Sequence, residues 1–80
     1  MLSEVEKVAR LAFENIASHL ANLSTIRELL DSSIRDAHSL TQLIDQLEMI
    51  GRKQLDVTIQ TDIRILINEI LHILSSKKAG

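Results

Sequence analysis

The chain has 80 residues, of which 45% are hydrophobic and 25% are charged, and its net charge at pH 7 is −2. This balance is typical of a globular chain, and the length allows one domain over residues 1–80, whose core is so small that a partner is expected to complete it. The absence of cysteine excludes disulfides, thiol nucleophiles and cysteine-bound metals. The negative charge gives no general attraction to nucleic acid, and no apolar run approaches the roughly 18 residues of a membrane span, so we expect a soluble, cytoplasmic protein.

The first predicted helix covers residues 3–22. Apolar residues recur every three or four positions along it, and polar residues occupy the opposite side. Ser3 and Glu6 have the spacing of a capping box, in which each side chain bonds the backbone amide of the other residue at a helix start. Thr25 and Glu28 repeat this spacing, which predicts that the second helix begins at Thr25.

The second predicted helix covers residues 25–50 without a break, and it has the cleanest helical pattern in the chain. One apolar stripe follows it through Ile26, Leu29, Leu30, Ser33, Ala37, Leu40, Ile44 and Leu47. The polar run at residues 31–33 competes for backbone hydrogen bonds. The period continues unshifted through that run, so one helix is predicted.

The third predicted helix covers residues 54–75, and a frayed tail follows at residues 76–80. Its apolar arc takes up nearly half of the circumference, which means that the helix needs two neighbours. Residues 55–61 also alternate between apolar and polar, as a strand would. No second run in the chain could pair with such a strand, so we predict a helix with Val57 on the wrong face.

Gly51 decides between two architectures. Glycine is the preferred residue just after a helix end, and Arg52 and Lys53 would complement the negative pole of the preceding helix. A turn at Gly51 predicts an all-α, three-helix up-down unit. The alternative is a long coiled-coil rod whose helix runs through Gly51, at a cost of about 1 kcal/mol relative to alanine. We favour the turn, because a short chain buries more surface by folding back on itself.

The predicted unit carries more apolar residues than one seam of three short helices can cover. Surfaces of this kind mark contacts between proteins, and a two-fold dimer would complete a larger helical bundle. The third helix is the expected centre of the interface. The predicted contact residues are Leu43, Ile63, Ile65, Leu66, Ile67, Ile70, Leu71 and Leu74.

The function that this surface predicts is that of a small protein-interaction module. An adaptor, a chaperone-like protein or a regulatory oligomer would bind itself and another protein in this way. A fragment of a longer coiled-coil protein would carry the same pattern.

His38 supports an alternative function. It lies on the polar face of the second predicted helix, and the stretch AHSL at residues 37–40 resembles the phosphoacceptor segment of histidine phosphotransfer domains. Those domains expose a histidine on a helix of a four-helix bundle, so the resemblance implies a signalling module with His38 as phosphoacceptor. The family places a basic residue and then a glycine soon after its histidine, whereas this chain has Thr41 and Gln42.

A second alternative is a small nucleic-acid-binding regulator. In a three-helix up-down path, Lys7 and Arg10 meet Arg52 and Lys53 at one end, where four cations could contact an anion. Acidic residues share this end, and no aromatic side chain is there to stack on bases. Complementation of the helix dipole and solubility are therefore the simpler interpretation.

Catalysis and cofactor binding are not expected. The chain has no glycine-rich phosphate loop, no HExxH motif and no nucleophile elbow, and its acidic residues are dispersed. Glu69 and His72 have a metal-ligand spacing, but two ligands do not make a metal site. We therefore predict a non-enzyme without metal or cofactor.

Overall fold

A computed structural model of the chain describes the backbone of residues 3–79 and the side chains of residues 3–76. These residues form four α-helices and no strand, which confirms the all-α prediction. The elements are α1 (Glu4–Ile16), a 3-10 turn (Ala17–His19), α2 (Leu23–Asp36), α3 (Leu40–Lys53) and α4 (Val57–Ala79). The prediction of three helices was wrong, because the segment predicted as one second helix contains two.

Helix α1 begins where its capping signature predicts. The Ser3 hydroxyl accepts a hydrogen bond from the Glu6 amide at 3.1 Å, which satisfies one of the free amides of the first turn. The helix ends at Ile16 and not near Asn22, since the chain then tightens into the 3-10 turn. Its buried face consists of Val5, Val8, Ala9, Ala12, Phe13 and Ile16.

The connection between α1 and α2 is held by a buried carboxylate on α4. Asp62 is 2% exposed, and its two oxygens accept hydrogen bonds from the backbone amides of Ala21 at 3.2 Å and Asn22 at 2.7 Å. The Asn22 side chain also donates to Asp62 and to Thr58. Hydrogen bonds to an ionised group are stronger than neutral ones, so this carboxylate fixes the place where the chain turns back.

Helix α2 takes its start from this tertiary contact. Its N-cap residue, Asn22, makes no side-chain bond to the first turn, because its side-chain amide points to α4. The predicted start at Thr25 was wrong, since Thr25 lies inside the first turn of α2. A local capping signature was therefore overridden by a carboxylate from a distant helix.

The break between α2 and α3 falls at residues 37–39, inside the helix predicted for residues 25–50. Ser39 caps α3, and its hydroxyl accepts the Gln42 amide at 3.1 Å. The Gln42 side chain accepts the His38 amide at 2.7 Å in return, so the two residues form a variant of the capping box. This cap starts a new helix at Leu40, although the unbroken apolar period of residues 25–50 predicts a single helix.

The chain reverses between α3 and α4, but not at Gly51. Gly51 has no positive φ and lies within α3, which continues to Lys53 and ends at its C-cap, Gln54. Asp56 precedes α4, and its carboxylate accepts from the Thr58 amide at 2.8 Å and from the Thr58 hydroxyl at 2.6 Å. An aspartate cap inside the stretch with the strand-like pattern, residues 55–61, thus starts a helix there.

The four helices share one hydrophobic core, and both α1 and α3 pack against α4. This packing gives α4 the two neighbours that its wide apolar arc requires. The radius of gyration is 11.8 Å and the longest axis is 36 Å, so the alternative of a coiled-coil rod is contradicted. Helix α4 continues to Ala79; the predicted tail therefore begins inside the helix, and residue 80 lies outside the described residues.

Replacing Asp62 by alanine should lower the free energy of unfolding by about 2–3 kcal/mol, because the amides of Ala21 and Asn22 would lose their charged acceptor. Asp45→Ala is the matched control. Asp45 is exposed on α3, and its replacement should change the free energy by less than about 0.5 kcal/mol. Urea unfolding followed by circular dichroism measures both, and equal losses would contradict the role assigned to Asp62.

Two hydrogen bonds to the carboxyl of Asp56 hold its pKa below the usual value of 3.8. The bond from the Thr58 hydroxyl has the larger effect, and the bond from the Thr58 amide adds to it. Because the pKa is lower in the folded chain, this cap stabilises the fold fully above that value and is lost as the pH falls through the folded-state pKa. NMR titration of Asp56 should give a midpoint below 3.8, and Thr58→Ala should raise it. An unchanged midpoint in the variant would refute the assignment of Thr58 as the cause.

Candidate functional site: the groove between α3 and α4

A surface groove of about 570 Å³ lies between α3 and α4. Its floor is apolar, with Ile63, Ile67 and Leu71 on successive turns of α4. Ile63 and Ile67 are buried, whereas Leu71 is 47% exposed. The spacing of four residues places all three on one face of the helix, so an apolar track leads from the core out to solvent.

Gly51 lies on the α3 wall of the groove, opposite Ile63 of α4. A Cβ atom at this position would lie 3.4 Å from Cγ2 of Ile63, which is an ordinary van der Waals contact, so the space beside Gly51 would accept a methyl group. The glycine that we predicted to turn the chain instead lies within α3, on the side that faces Ile63 of α4.

The rim of the groove is polar and carries both signs of charge. Arg52 lies 3.8 Å from Glu48 across one turn of α3, and both side chains are exposed. Arg64 lies on the α4 rim, and the ion pairs among the described side chains do not include it. An exposed pair such as Arg52 with Glu48 contributes little, so Arg64 is the cation that a bound anion would meet without competition.

The structure divides the predicted interface residues into three groups. Leu71 is exposed, and Ile65 and Leu74 are half-buried against the core. The other five are buried inside the chain: Leu43, Ile63, Leu66, Ile67 and Ile70. These five hold α3 and α4 to the rest of the same copy, so they are not part of the exposed apolar face that was predicted as an interface. Of the predicted interface residues, Leu71 at the edge of the groove is the exposed one.

The predicted cluster of four cations does not form. Asn15 on α1 bonds Glu69 of α4, and Asn22 bonds Asp62 and Thr58 near the start of α4, so these helices run antiparallel. The end of α3 is next to the start of α4, and Lys7 is at the opposite end of the molecule. Because of the additional reversal at residues 37–39, α3 runs parallel to α1, whereas the three-helix prediction has this segment antiparallel to α1.

The four cations therefore have separate surroundings. Arg10 is paired with Asp31 at 2.6 Å and lies 4.0 Å from Glu6, while Lys7 and Lys53 are exposed. Arg52 borders the groove between α3 and α4. No single anion could contact all four.

His38 is exposed, as predicted, but it lies in the connection between α2 and α3 and not on a helix face. Its backbone amide is used in the cap of α3. A histidine phosphotransfer domain carries its histidine on a helix, so the resemblance at residues 37–40 does not extend to the surrounding structure.

The polar members of the groove, above all Arg64, were not among the residues predicted from the sequence. The signal was present, because Arg64, Ile67 and Leu71 follow one another at steps of three and four residues and so share a face of α4. The prediction assigned Gly51 and Arg52 to a turn, whereas α3 continues to Lys53, so these residues were not recognised as part of the wall that faces α4.

Comparisons with protein-family models, with curated proteins and with solved structures find no match to this chain. None of the helices within residues 3–79 is both long and apolar enough to cross a membrane. Among the described side chains, no three histidine or acidic residues lie close enough together to hold a metal ion.

Replacing Gly51 by alanine should raise the free energy of unfolding by about 0.5–1 kcal/mol, because alanine is the better helix former and its methyl group would make an ordinary contact with Ile63. Gly51→Val is the contrasting variant, since its extra methyl groups would press into α4 and should cancel the gain. Urea unfolding measures both variants. A destabilised alanine variant would contradict the ordinary contact expected between its methyl group and Ile63.

Proposed function

We propose that this protein is a non-enzymatic, cytoplasmic interaction module whose groove between α3 and α4 binds an amphipathic helix of another protein. The apolar side of that helix packs on Ile67 and Leu71, and an acidic residue beside it pairs with Arg64. The observation that carries the proposal is the combination, in one groove, of an accessible leucine on an apolar floor and a cation without an ion pair.

The shape of the groove favours a helical ligand. Two antiparallel helices with a shallow trough between them accept a third helix by packing its side chains between theirs. Recognition of this kind uses apolar anchors at steps of three and four residues, and the floor of the groove has the same period along α4. A third helix in this position would cover Leu71, the one predicted interface residue that the fold leaves exposed.

The charge of the rim favours an acidic ligand. Arg64 lies beside the apolar floor, and Arg52 lies on the facing wall with only an exposed partner, Glu48. A carboxylate one turn away from the apolar anchors would reach Arg64. Such rim charges act mainly on specificity and on the association rate, so the apolar anchors supply most of the affinity.

Neither alternative function gains support of this kind. His38 lies on a connection, and the basic residues lie at opposite ends of the molecule. The groove also fits the earlier prediction that α4 is the centre of an interface, with the difference that α3 forms its second wall.

The test is selection from a displayed library of helical peptides against the wild-type protein. We expect enrichment of leucine or isoleucine at positions i, i+3 or i+4 and i+7, with an aspartate or glutamate beside them. Arg64→Glu and Leu71→Ser should each weaken the selected peptides about tenfold or more, which corresponds to about 1.4 kcal/mol. A selection repeated on Arg64→Glu should enrich lysine or arginine at the flanking position.

Matched controls lie on other faces of the molecule. Leu11 is 46% exposed on α1, nearly the same as Leu71, and Arg35 is an exposed arginine on α2. Leu11→Ser and Arg35→Glu should leave peptide affinity unchanged. If these variants reduce binding as much as the groove variants do, or if no peptide sequence is enriched, the groove is not the binding site.

A further inference from the structure

The apolar period passes through the break between α2 and α3 without a change of phase. Positions that are buried or packed against the core alternate in steps of four and three residues, as in a coiled coil. They are Ile26, Leu30, Ser33, Ala37, Leu40, Ile44 and Leu47. A single helix over residues 23–53 would present this same stripe, yet the chain folds back in the middle of it.

The fold-back is held by side chains and not by a special backbone conformation. Residues 37–39 contain neither glycine nor proline, and no described residue has a positive φ. The Ala37 amide bonds the Ser33 carbonyl at 3.0 Å, which is a helical bond that a continuous helix would keep. Only the cap formed by Ser39 and Gln42, with the His38 amide, is specific to the fold-back.

We propose that two copies of this chain exchange halves and form a dimer. In this dimer α2 and α3 join into one helix over residues 23–53, about 46 Å long at about 1.5 Å per residue. The α1–α2 half of each copy then packs against the α3–α4 half of the other. The partner is a second copy of this chain, because only the same sequence supplies the half that is displaced.

The exchange preserves the contacts between the two halves. The bond of Asn15 to Glu69 at 3.0 Å and those of Asn22 to Asp62 join the first half to α4, and each re-forms between chains. The Ser39 cap is lost, and residues 37–39 gain helical hydrogen bonds in return. A short connection between two packed halves is the arrangement in which swapping costs little.

The dimer and the groove are independent of each other. Both walls of the groove, α3 and α4, belong to the same half, so the exchange leaves each groove intact. Loss of the dimer would leave peptide binding in place, and loss of peptide binding would leave the dimer in place.

The decisive test uses cysteines at the contact between the halves. The chain has no native cysteine, so Asn15→Cys with Glu69→Cys gives one reactive pair per contact. The protein is refolded from urea at several concentrations, diluted, treated with a short bismaleimide and run on a denaturing gel. We expect a product of two linked chains whose share rises with the refolding concentration. Crosslinks within single chains at every concentration would overturn the exchange.

Variants at the connection provide a second measurement that does not depend on the cysteines. Ser39→Ala should raise the association constant of the dimer about 30-fold. The substitution removes one cap from each of two monomers, and each cap stabilises the monomer by about 1 kcal/mol. Thr41→Pro should lower the association constant more than about 100-fold, because proline is tolerated in the first turn of α3 but disrupts the interior of the joined helix. Light scattering after refolding gives the masses.

Ser24→Ala is the matched control for Ser39→Ala. Ser24 is an exposed serine in the first turn of α2 and takes no part in the connection, so its replacement should leave the dimerisation constant unchanged. Identical masses for the Ser39 and Thr41 variants would overturn the proposal, even if the wild-type protein were a dimer.

Discussion

The carboxylate of Asp62 is the interaction on which the arrangement of the helices depends. It is buried, and it is satisfied by the amides of Ala21 and Asn22 and by the Asn22 side chain. A buried charge without such donors would cost several kcal/mol, so the connection between α1 and α2 must lie against the first turns of α4. This requirement sets the antiparallel pairing of α1 with α4, and α3 then fills the remaining apolar side of α4.

Elements defined by local chemistry could be predicted from the sequence. Ser3 caps α1 as expected, the absence of a pairing partner correctly ruled out a strand at residues 55–61, and Val57 is indeed turned outward, at 69% exposed. The wide arc of α4 correctly indicated two neighbours. In each case the neighbouring residues alone determine the outcome, since the cap, the period and the arc involve only short stretches of chain.

Elements defined by competition between signals could not be predicted in this way. The stretch from Ser39 to Gln42 has the same capping signature as Thr25 with Glu28, but only the first starts a helix. The difference lies in tertiary structure, because Asp62 moves the start of α2 upstream and the closure of the core favours a break at residues 37–39. Ser33 shows the cost of this packing, since its buried hydroxyl has no hydrogen-bond partner among the described residues.

The Ser39 cap also determines which residues can form a site. An unbroken helix over residues 25–50 would have carried Arg52 and Lys53 toward Lys7 and made a basic end. The reversal at the cap instead makes α1 antiparallel to α4 and separates Arg52 from Lys7, while Arg52 keeps its place at the groove with Arg64 and Leu71. A cap worth about 1 kcal/mol, together with closure of the core, therefore decides that Arg52 borders the groove without also joining Lys7 in a basic end.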